Sequence, residues 1–291
     1  MTRLIDVMIV GVEKAGTTSL LRYLSEHPEV ISHKDMEMPY FVDDEKYKKG
    51  WDRAHKEYFP SEIDRRVLLA KSVGCMYWEL VPERLHAHNP DMKLIVVLRN
   101  PVERAYSAYW YALQMGREDK KTFEDAIFAE EERLKTGEDF HLRYHSYLRR
   151  GLYGRQLERL LKFFDLGQVR IVMFEDLKTK PAGVVADLFG FFALDPVLAN
   201  VDKRHNETFG STNAILYWLG SKSPILRKAV GSFVPDGIKR TAKYFIIKAG
   251  NRKKEIPPIS EETRAQLLRY YEADIDLLQK LLRKDLSIWS M

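Results

Sequence analysis

A glycine-containing loop near the start of the chain constrains the fold more than any other feature. Residues 7–10 (Val-Met-Ile-Val) form a short apolar run that is typical of a buried strand. Residues 11–19 (Gly-Val-Glu-Lys-Ala-Gly-Thr-Thr-Ser) follow at once, and residues 17–27 then place leucines on one helical face before a proline. A strand, a glycine loop and a helix in this order predict an anion site at the helix N-terminus.

Three further apolar runs predict the remaining strands, at residues 67–70, 94–98 and 169–174. Nearly continuous apolar runs are typical of strands that are covered on both faces, as in a parallel sheet. Helical patterns lie between and after them, at 100–110, 122–135, 152–164 and from Ser260 onward. We therefore predict a single α/β domain over residues 1–291, with a P-loop-type, doubly wound parallel sheet flanked by helices.

Residues 210–256 interrupt this alternation of strands and helices. They combine Gly, Pro and Ser with many basic residues and short apolar stretches. We predict an irregular, partly helical excursion that covers the site or binds the acceptor.

Composition excludes several classes of protein. The 291 residues carry a formal net charge of +5, which suits an anionic ligand but is too small and scattered for nucleic-acid binding. The only cysteine, Cys75, excludes an internal disulfide and is predicted to be a packed, inert thiol. No window approaches the roughly 20 apolar residues of a membrane span, so a cytoplasmic protein is expected.

The lysine of the loop stands in an unusual place. The loop of nucleoside-triphosphate enzymes, G-x-x-x-x-G-K-[ST], places lysine directly after the second glycine. Here Thr17 occupies that position, and Lys14 lies two residues before Gly16. A kinase also needs an acidic partner for Mg²⁺, whereas two of the strand ends give Lys71-Ser72 and Arg99-Asn100. The pattern therefore favours an anion site without a metal.

With Lys14 in that position, residues 11–19 resemble the 5′-phosphosulfate loop of sulfotransferases that use 3′-phosphoadenosine 5′-phosphosulfate (PAPS). The likeness is closest to the branch that includes heparan sulfate sulfotransferases and many bacterial relatives. Residues 98–109 (LRNPVERAYSAY) resemble the family's 3′-phosphate block, which assigns Arg99 and Ser107 to that phosphate. Helix rise alone separates these two residues by roughly 12 Å, so their convergence is implied only by the resemblance.

Three weaker blocks extend the resemblance over most of the chain. Lys71-Ser72 resembles the family's lysine-containing strand end, residues 147–153 resemble a G-x-Y segment beside the nucleotide, and residues 202–206 resemble a late basic loop over the phosphates. The resemblance thus implies PAPS as donor, 3′-phosphoadenosine 5′-phosphate (PAP) as product, and no metal. The implied nucleotide-binding residues are Lys14, Ala15, Gly16, Thr17, Thr18, Ser19, Arg99, Ser107, Tyr153, Lys203, Arg204 and His205.

The resemblance also implies catalytic roles. Lys14 would stabilise the leaving phosphate, and Lys71 would orient the acceptor or the base. The family branch often carries K-E-P-H-F-F with Glu as base. In register with Pro39, that position holds Met38, and Glu37 lies one residue away. Glu37 is our candidate base, and the alternatives are His33, Asp35 and His205.

The acceptor is expected to be a hydroxylated molecule, a saccharide in the first place and a lipid or other small alcohol in the second. Aromatic residues that could line its cleft are Tyr40, Phe41, Tyr77, Trp78 and Trp110. Two other functions remain open from the sequence: a P-loop phosphotransferase such as a nucleoside kinase, and a nucleotide-binding module without turnover.

Overall fold

The computed structural model describes residues 2–60, 66–201 and 256–289. Its sheet has five parallel strands in the order β2-β3-β1-β4-β5. Their bounds are β1 Val7–Gly11, β2 Val30–Ser32, β3 Val67–Lys71, β4 Lys93–Leu98 and β5 Val169–Met173. The predicted α/β class with a parallel sheet and flanking helices is therefore confirmed.

The described residues also contain helices, which lie between and after the strands along the chain. They are α1 Thr17–Leu24, α2 Asp44–Lys48, α3 Trp51–Tyr58, α4 Val81–His88, α5 Pro101–Gln114, α6 Phe123–Phe128, α7 Glu130–Lys135, α8 Asp139–Tyr144, α9 Tyr153–Leu160, α10 Phe174–Thr179, α11 Pro181–Phe191 and α12 Glu261–Leu282. Short 3₁₀ turns lie at Pro39–Val42, Arg149–Gly151, Leu166–Gln168 and Ser287–Trp289. Within these described ranges, no helix is both long and apolar enough to cross a membrane.

The chain groups into two compact units. The first comprises Met1–Asn100, Leu152–Asn206 and Glu272–Met291, and it contains the whole sheet. The second comprises Pro101–Gly151 and Glu207–Tyr271, and it contains α5 to α8. The single domain over residues 1–291 stays a prediction. The predicted excursion at 210–256 lies, up to residue 255, outside the described residues.

The core of the first unit lies on the central strands. Every residue of β1 and β3 is buried, and the five residues that follow Lys93 in β4 are buried as well. This is the physical reason for the continuous apolar runs, because a central parallel strand has helices against both faces. The edge strand β2 has only three residues, of which Val30 alone is buried. It therefore has no apolar run from which it could be predicted.

A buried carboxylate organises the second unit. Glu118 accepts hydrogen bonds from Arg133 at 2.7 and 2.9 Å, from the Tyr147 hydroxyl at 2.6 Å, and from two backbone amides. Burial opposes the charged form, and the bonds from Arg133 and Tyr147 outweigh it, so the pKa of Glu118 falls to about 2. Glu130 is also buried and accepts the Leu148 and Arg149 amides, and burial raises its pKa to about 7.

Candidate functional site

The candidate residues lie where the parallel strands end. The glycine-containing loop at residues 11–19, called the phosphate loop below after its resemblance, leaves β1. Lys71 ends β3, Arg99 follows β4 directly and Phe174 follows β5. Glu37 lies in the loop that leaves β2. Because the carboxyl ends of parallel strands share one edge of the sheet, this is the edge where open α/β sheets bind ligands.

The phosphate loop has a left-handed backbone at two positions. Lys14 has a φ of 65° and Gly16 a φ of 79°. A Cβ at Gly16 would lie 3.2 Å from Leu177 and 3.4 Å from the Phe174 ring, so both the conformation and the space call for glycine. Gly16 is the N-cap of α1, contributes no side-chain cap, and precedes a first turn without acidic residues. The positive end of α1 thus faces no carboxylate of its own first turn.

Arg99 supports the loop from the neighbouring strand. Its Nη1 donates a hydrogen bond to the Lys14 carbonyl at 2.9 Å, and its guanidinium lies 4.8 Å from the centroid of the Phe174 ring. Burial lowers the pKa of Lys14 from 10.5 to about 8; Glu13 raises it and Arg99 lowers it further. The loop therefore holds two cations close together, an arrangement that an anionic ligand would stabilise.

Glu37 is held beside this loop by Lys71. The side chain of Lys71 is fully buried, and its ammonium forms an ion pair with Glu37 Oε1. The same ammonium lies 3.4 Å from the Thr18 hydroxyl of the loop. Glu37 Oε2 accepts the Val73 amide at 3.0 Å, and the Glu37 side chain stays 40% exposed. A carboxylate fixed on two donors, beside an anion loop and open to solvent, can act as a general base.

The other positions considered for the base have different environments. Met38 is completely buried, and its amide donates to the Lys71 carbonyl at 2.8 Å, so this residue belongs to the core. His33 is buried as well, and its Nε2 accepts the Lys71 amide at 3.1 Å. Burial and the Lys71 charge lower the pKa of His33 to about 4. Asp35 is exposed, and His205 lies outside the described residues.

The remaining predicted residues are less closely connected. Tyr153 begins α9 and is buried, with its ring centroid 6.1 Å from that of Trp289. Ser107 lies on α5 in the second unit, so its binding of one phosphate together with Arg99 stays a prediction. Lys203 and Arg204, like His205, are not among the described residues. The structure thus brings together Lys14 with Arg99, and Thr18 with Lys71 and Glu37.

Two of the aromatic residues proposed for the acceptor cleft belong to the core. Tyr40 and Phe41 are buried, 4% and 0% exposed, with ring centroids 4.9 Å apart. Tyr77 and Trp78 are half-buried in the turn that follows Lys71. Cys75 in the same turn is fully buried, and burial raises the pKa of its thiol, as expected for an inert cysteine.

Comparisons with known proteins identify the family of this chain. A protein-family model described as a sulfotransferase domain matches residues 4–213. The chain belongs to the sulfotransferase family. Heparan sulfate glucosamine 3-O-sulfotransferase 3A1 of Mus musculus is 30% identical to it over 268 residues, which cover 91% of this chain and 60% of the mouse protein. Heparan sulfate glucosamine 3-O-sulfotransferase 6 of Homo sapiens is 32% identical over 245 residues, 82% of this chain and 68% of the human protein.

A solved structure shares the fold of this sulfotransferase-family chain. A sulfotransferase from Alicyclobacillus acidocaldarius superposes with a TM-score of 0.70 at 24% identity and covers 100% of both chains. The chain spans only about 60% of the length of the mouse relative.

Sequence reasoning missed two parts of the site. Phe174 and Leu177 crowd Gly16 from α10, and the Val73 amide is the second donor to Glu37. Phe174 directly follows a buried strand, so the rule that ligand sites form at strand ends could have selected it. A backbone amide such as that of Val73 leaves no signal in the sequence.

Proposed function

We propose that this protein transfers the sulfuryl group of PAPS to an acceptor hydroxyl. The observation that carries the proposal is the bond network in which Lys71 joins Glu37 to Thr18 of the phosphate loop. An anion-binding loop and a carboxylate base in one network are what group transfer from an anionic donor to a hydroxyl requires.

On the donor side, Lys14 and the first-turn amides of α1 would hold the 5′-phosphosulfate. The fit is supported by the left-handed glycine, the absence of a competing acid in the first turn and the two neighbouring cations. Arg99 and Ser107 would hold the 3′-phosphate, and Tyr153 the nucleoside part. Lys14 would neutralise the charge that develops on the leaving phosphate oxygen, which is the largest electrostatic demand of the reaction.

On the acceptor side, Glu37 would remove the proton from the hydroxyl as its oxygen attacks sulfur. The new O–S bond forms while the S–O bond to the phosphate breaks, the proton passes to Glu37, and the electron pair leaves with PAP. Lys71 and the Val73 amide hold the carboxylate in place. Glu37 thereby takes the role that the family motif, in register with Pro39, would place at Met38.

The acceptor we propose first is a saccharide hydroxyl. Support comes from the names of the relatives, which are glucosamine sulfotransferases of heparan sulfate. A lipid or other small alcohol is the second choice.

Two measurements test the proposed function. PAP at about 1 mM should raise the melting temperature of the wild type, since a ligand that binds only the folded state stabilises it. Radiolabelled PAPS should label at least one member of a panel of saccharides, lipids and small alcohols. The proposal would be refuted if PAP did not stabilise the protein and no acceptor of the panel were labelled.

A pair of variants separates the base from its neighbour. Glu37→Gln should retain the stabilisation by PAP and lose transfer by about 100-fold or more, the range for a removed general base. Asp35→Asn, two residues earlier and exposed, should keep wild-type transfer. The assignment fails if Asp35→Asn is the variant that loses activity while Glu37→Gln remains active.

A further inference from the structure

The N-terminus of α9 is capped by a residue 120 positions away in sequence. Asp274 of α12 is 5% exposed, and its two carboxylate oxygens accept the Gly154 amide at 2.7 Å and the Arg155 amide at 3.1 Å. Leu152, the N-cap residue of α9, makes no side-chain cap. A helix of eight residues has little stability by itself, so its first turn depends on this distant carboxylate.

The two helices approach too closely for this contact to be adjustable. A Cβ at Gly154 would lie 2.5 Å from the Asp274 carbonyl and 3.1 Å from the Leu278 amide. Glycine therefore allows the backbones to touch, and any movement of Asp274 would move the start of α9 with it.

The last described turn of the chain reaches the same region. The Trp289 ring is 1% exposed and lies 6.1 Å from the Tyr153 ring. The Trp289 carbonyl accepts a hydrogen bond from Asn100 Nδ2 at 3.0 Å. Asn100 follows Arg99 in the chain, so this C-terminal segment contacts Tyr153 and the neighbour of Arg99, two of the positions in the first unit that the proposed function assigns to the nucleotide.

We infer that Asp274 and Trp289 are positioning residues for the nucleotide half of the PAPS site. The inference rests on the proposed function. Asp274 holds the first turn of α9, which begins at Tyr153, and Trp289 holds Tyr153 and the strand end beside Arg99. Because Asp274 already occupies the Gly154 and Arg155 amides, this helix end offers those amides to no phosphate.

Asp274→Asn tests the inference, with Asp276→Asn as the matched control. Asparagine keeps the shape of Asp274 but loses its charge and one of its two acceptors. Asp276 lies two residues later on the same helix and is exposed. By calorimetry, Asp274→Asn should weaken PAP binding about 5- to 20-fold, the effect of losing a helix cap expressed in the binding constant. Asp276→Asn should match the wild type.

A kinetic separation distinguishes positioning from stability alone. Asp274→Asn should raise KM for PAPS by the same factor, while kcat at saturating PAPS and KM for the acceptor stay within about twofold. A purely structural role would lower the melting temperature and the active fraction and leave PAP affinity of the folded protein unchanged, which would overturn the inference.

A second variant covers the case in which Asp274→Asn does not fold. Trp289→Phe keeps an aromatic ring against Tyr153 but reduces its contact, and it should also weaken PAP binding with kcat preserved. Wild-type affinity in Trp289→Phe would then overturn the inference. A wild type that fails to bind PAP would refute the proposed function itself, and the inference with it.

Discussion

Replacing Lys14 with methionine should stabilise the ligand-free protein while abolishing PAP binding. Burial and the neighbouring Arg99 lower the pKa of Lys14 from 10.5 to about 8, so the protonated side chain is unfavourable in the folded state at neutral pH. Methionine has a similar length and no charge. Neither residue is β-branched, so the cost of the left-handed backbone at this position, φ 65°, is nearly the same for both.

The size of the effect follows from linkage. At 1.36 kcal/mol per pKa unit, a fall from 10.5 to about 8 corresponds to about 3 kcal/mol as an upper limit. The side chain is not completely buried, and solvent screens part of this cost. We therefore expect Lys14→Met to raise the free energy of unfolding at pH 7 by about 1 to 2 kcal/mol.

The pH dependence gives the sign independently. Because the folded-state pKa lies below the unfolded one, the unfolded chain binds more protons between pH 8 and 10.5, and wild-type stability should rise across this interval. Urea unfolding of both proteins between pH 7 and 10 should therefore show the advantage of Lys14→Met shrinking as the pH rises. Effects of other lysines cancel in the difference.

Binding provides the second half of the experiment. PAP should raise the melting temperature of the wild type and leave that of Lys14→Met nearly unchanged, because the loop has lost its mobile cation. A Lys14→Met protein that is less stable than the wild type at pH 7, or whose difference does not shrink towards pH 10, would refute the electrostatic account of the loop.

Three further predictions concern stability. Gly16→Ala should lower the free energy of unfolding by about 2 kcal/mol or more, because its methyl would lie 3.2 Å from a leucine of α10 at a φ of 79°. Gly137→Ala, at a φ of 69° with no atom within 4 Å, should lose only the conformational part, about 1 kcal/mol. Equal losses by urea unfolding would contradict the crowding argument. Glu118→Gln should lower the free energy of unfolding by about 3 kcal/mol, since it removes the buried partner of Arg133; a thermal scan with a change under 1 kcal/mol would count against this. Burial raises the pKa of Glu130 to about 7, so the folded state binds the extra proton and wild-type stability should fall between about pH 4.5 and 7 relative to Glu130→Gln; parallel pH curves would refute the assignment.

Burial decided which parts of the fold could be predicted from the sequence. The strands expected at 7–10, 67–70, 94–98 and 169–174 all formed with ends shifted by one residue at most. The first three are buried along their expected lengths, and strands covered on both faces must be apolar throughout. The pattern at 122–135 forms two helices separated at Ala129. This break could not be predicted, because both halves carry helical charge patterns and no helix-breaking residue lies between them. The edge strand β2 needed pairing with β3 to exist at all.

The loop of the candidate site could be predicted because its signals are local: glycine, lysine and hydroxyl residues between a strand and a helix. The cap that Asp274 provides could not, since it joins residues 120 positions apart and the sequence around Gly154 contains no sign of it. Contacts of this kind depend on how two helices cross, which glycine permits but does not specify.

The position of the proposed base illustrates the same distinction in energetic terms. Counting residues back from Pro39 places the family's glutamate at Met38, a side chain that the core takes up completely. Lys71 is also completely buried, and a buried ammonium is tolerated only when an anion pairs with it. That requirement, rather than the spacing to Pro39, is why we propose Glu37 as the base, since its carboxylate is held by Lys71 and the Val73 amide. Where a motif and a buried charge disagree about a catalytic position, the buried charge is therefore the stronger guide, because leaving it unpaired costs several kcal/mol whereas a one-residue offset in an exposed loop costs little.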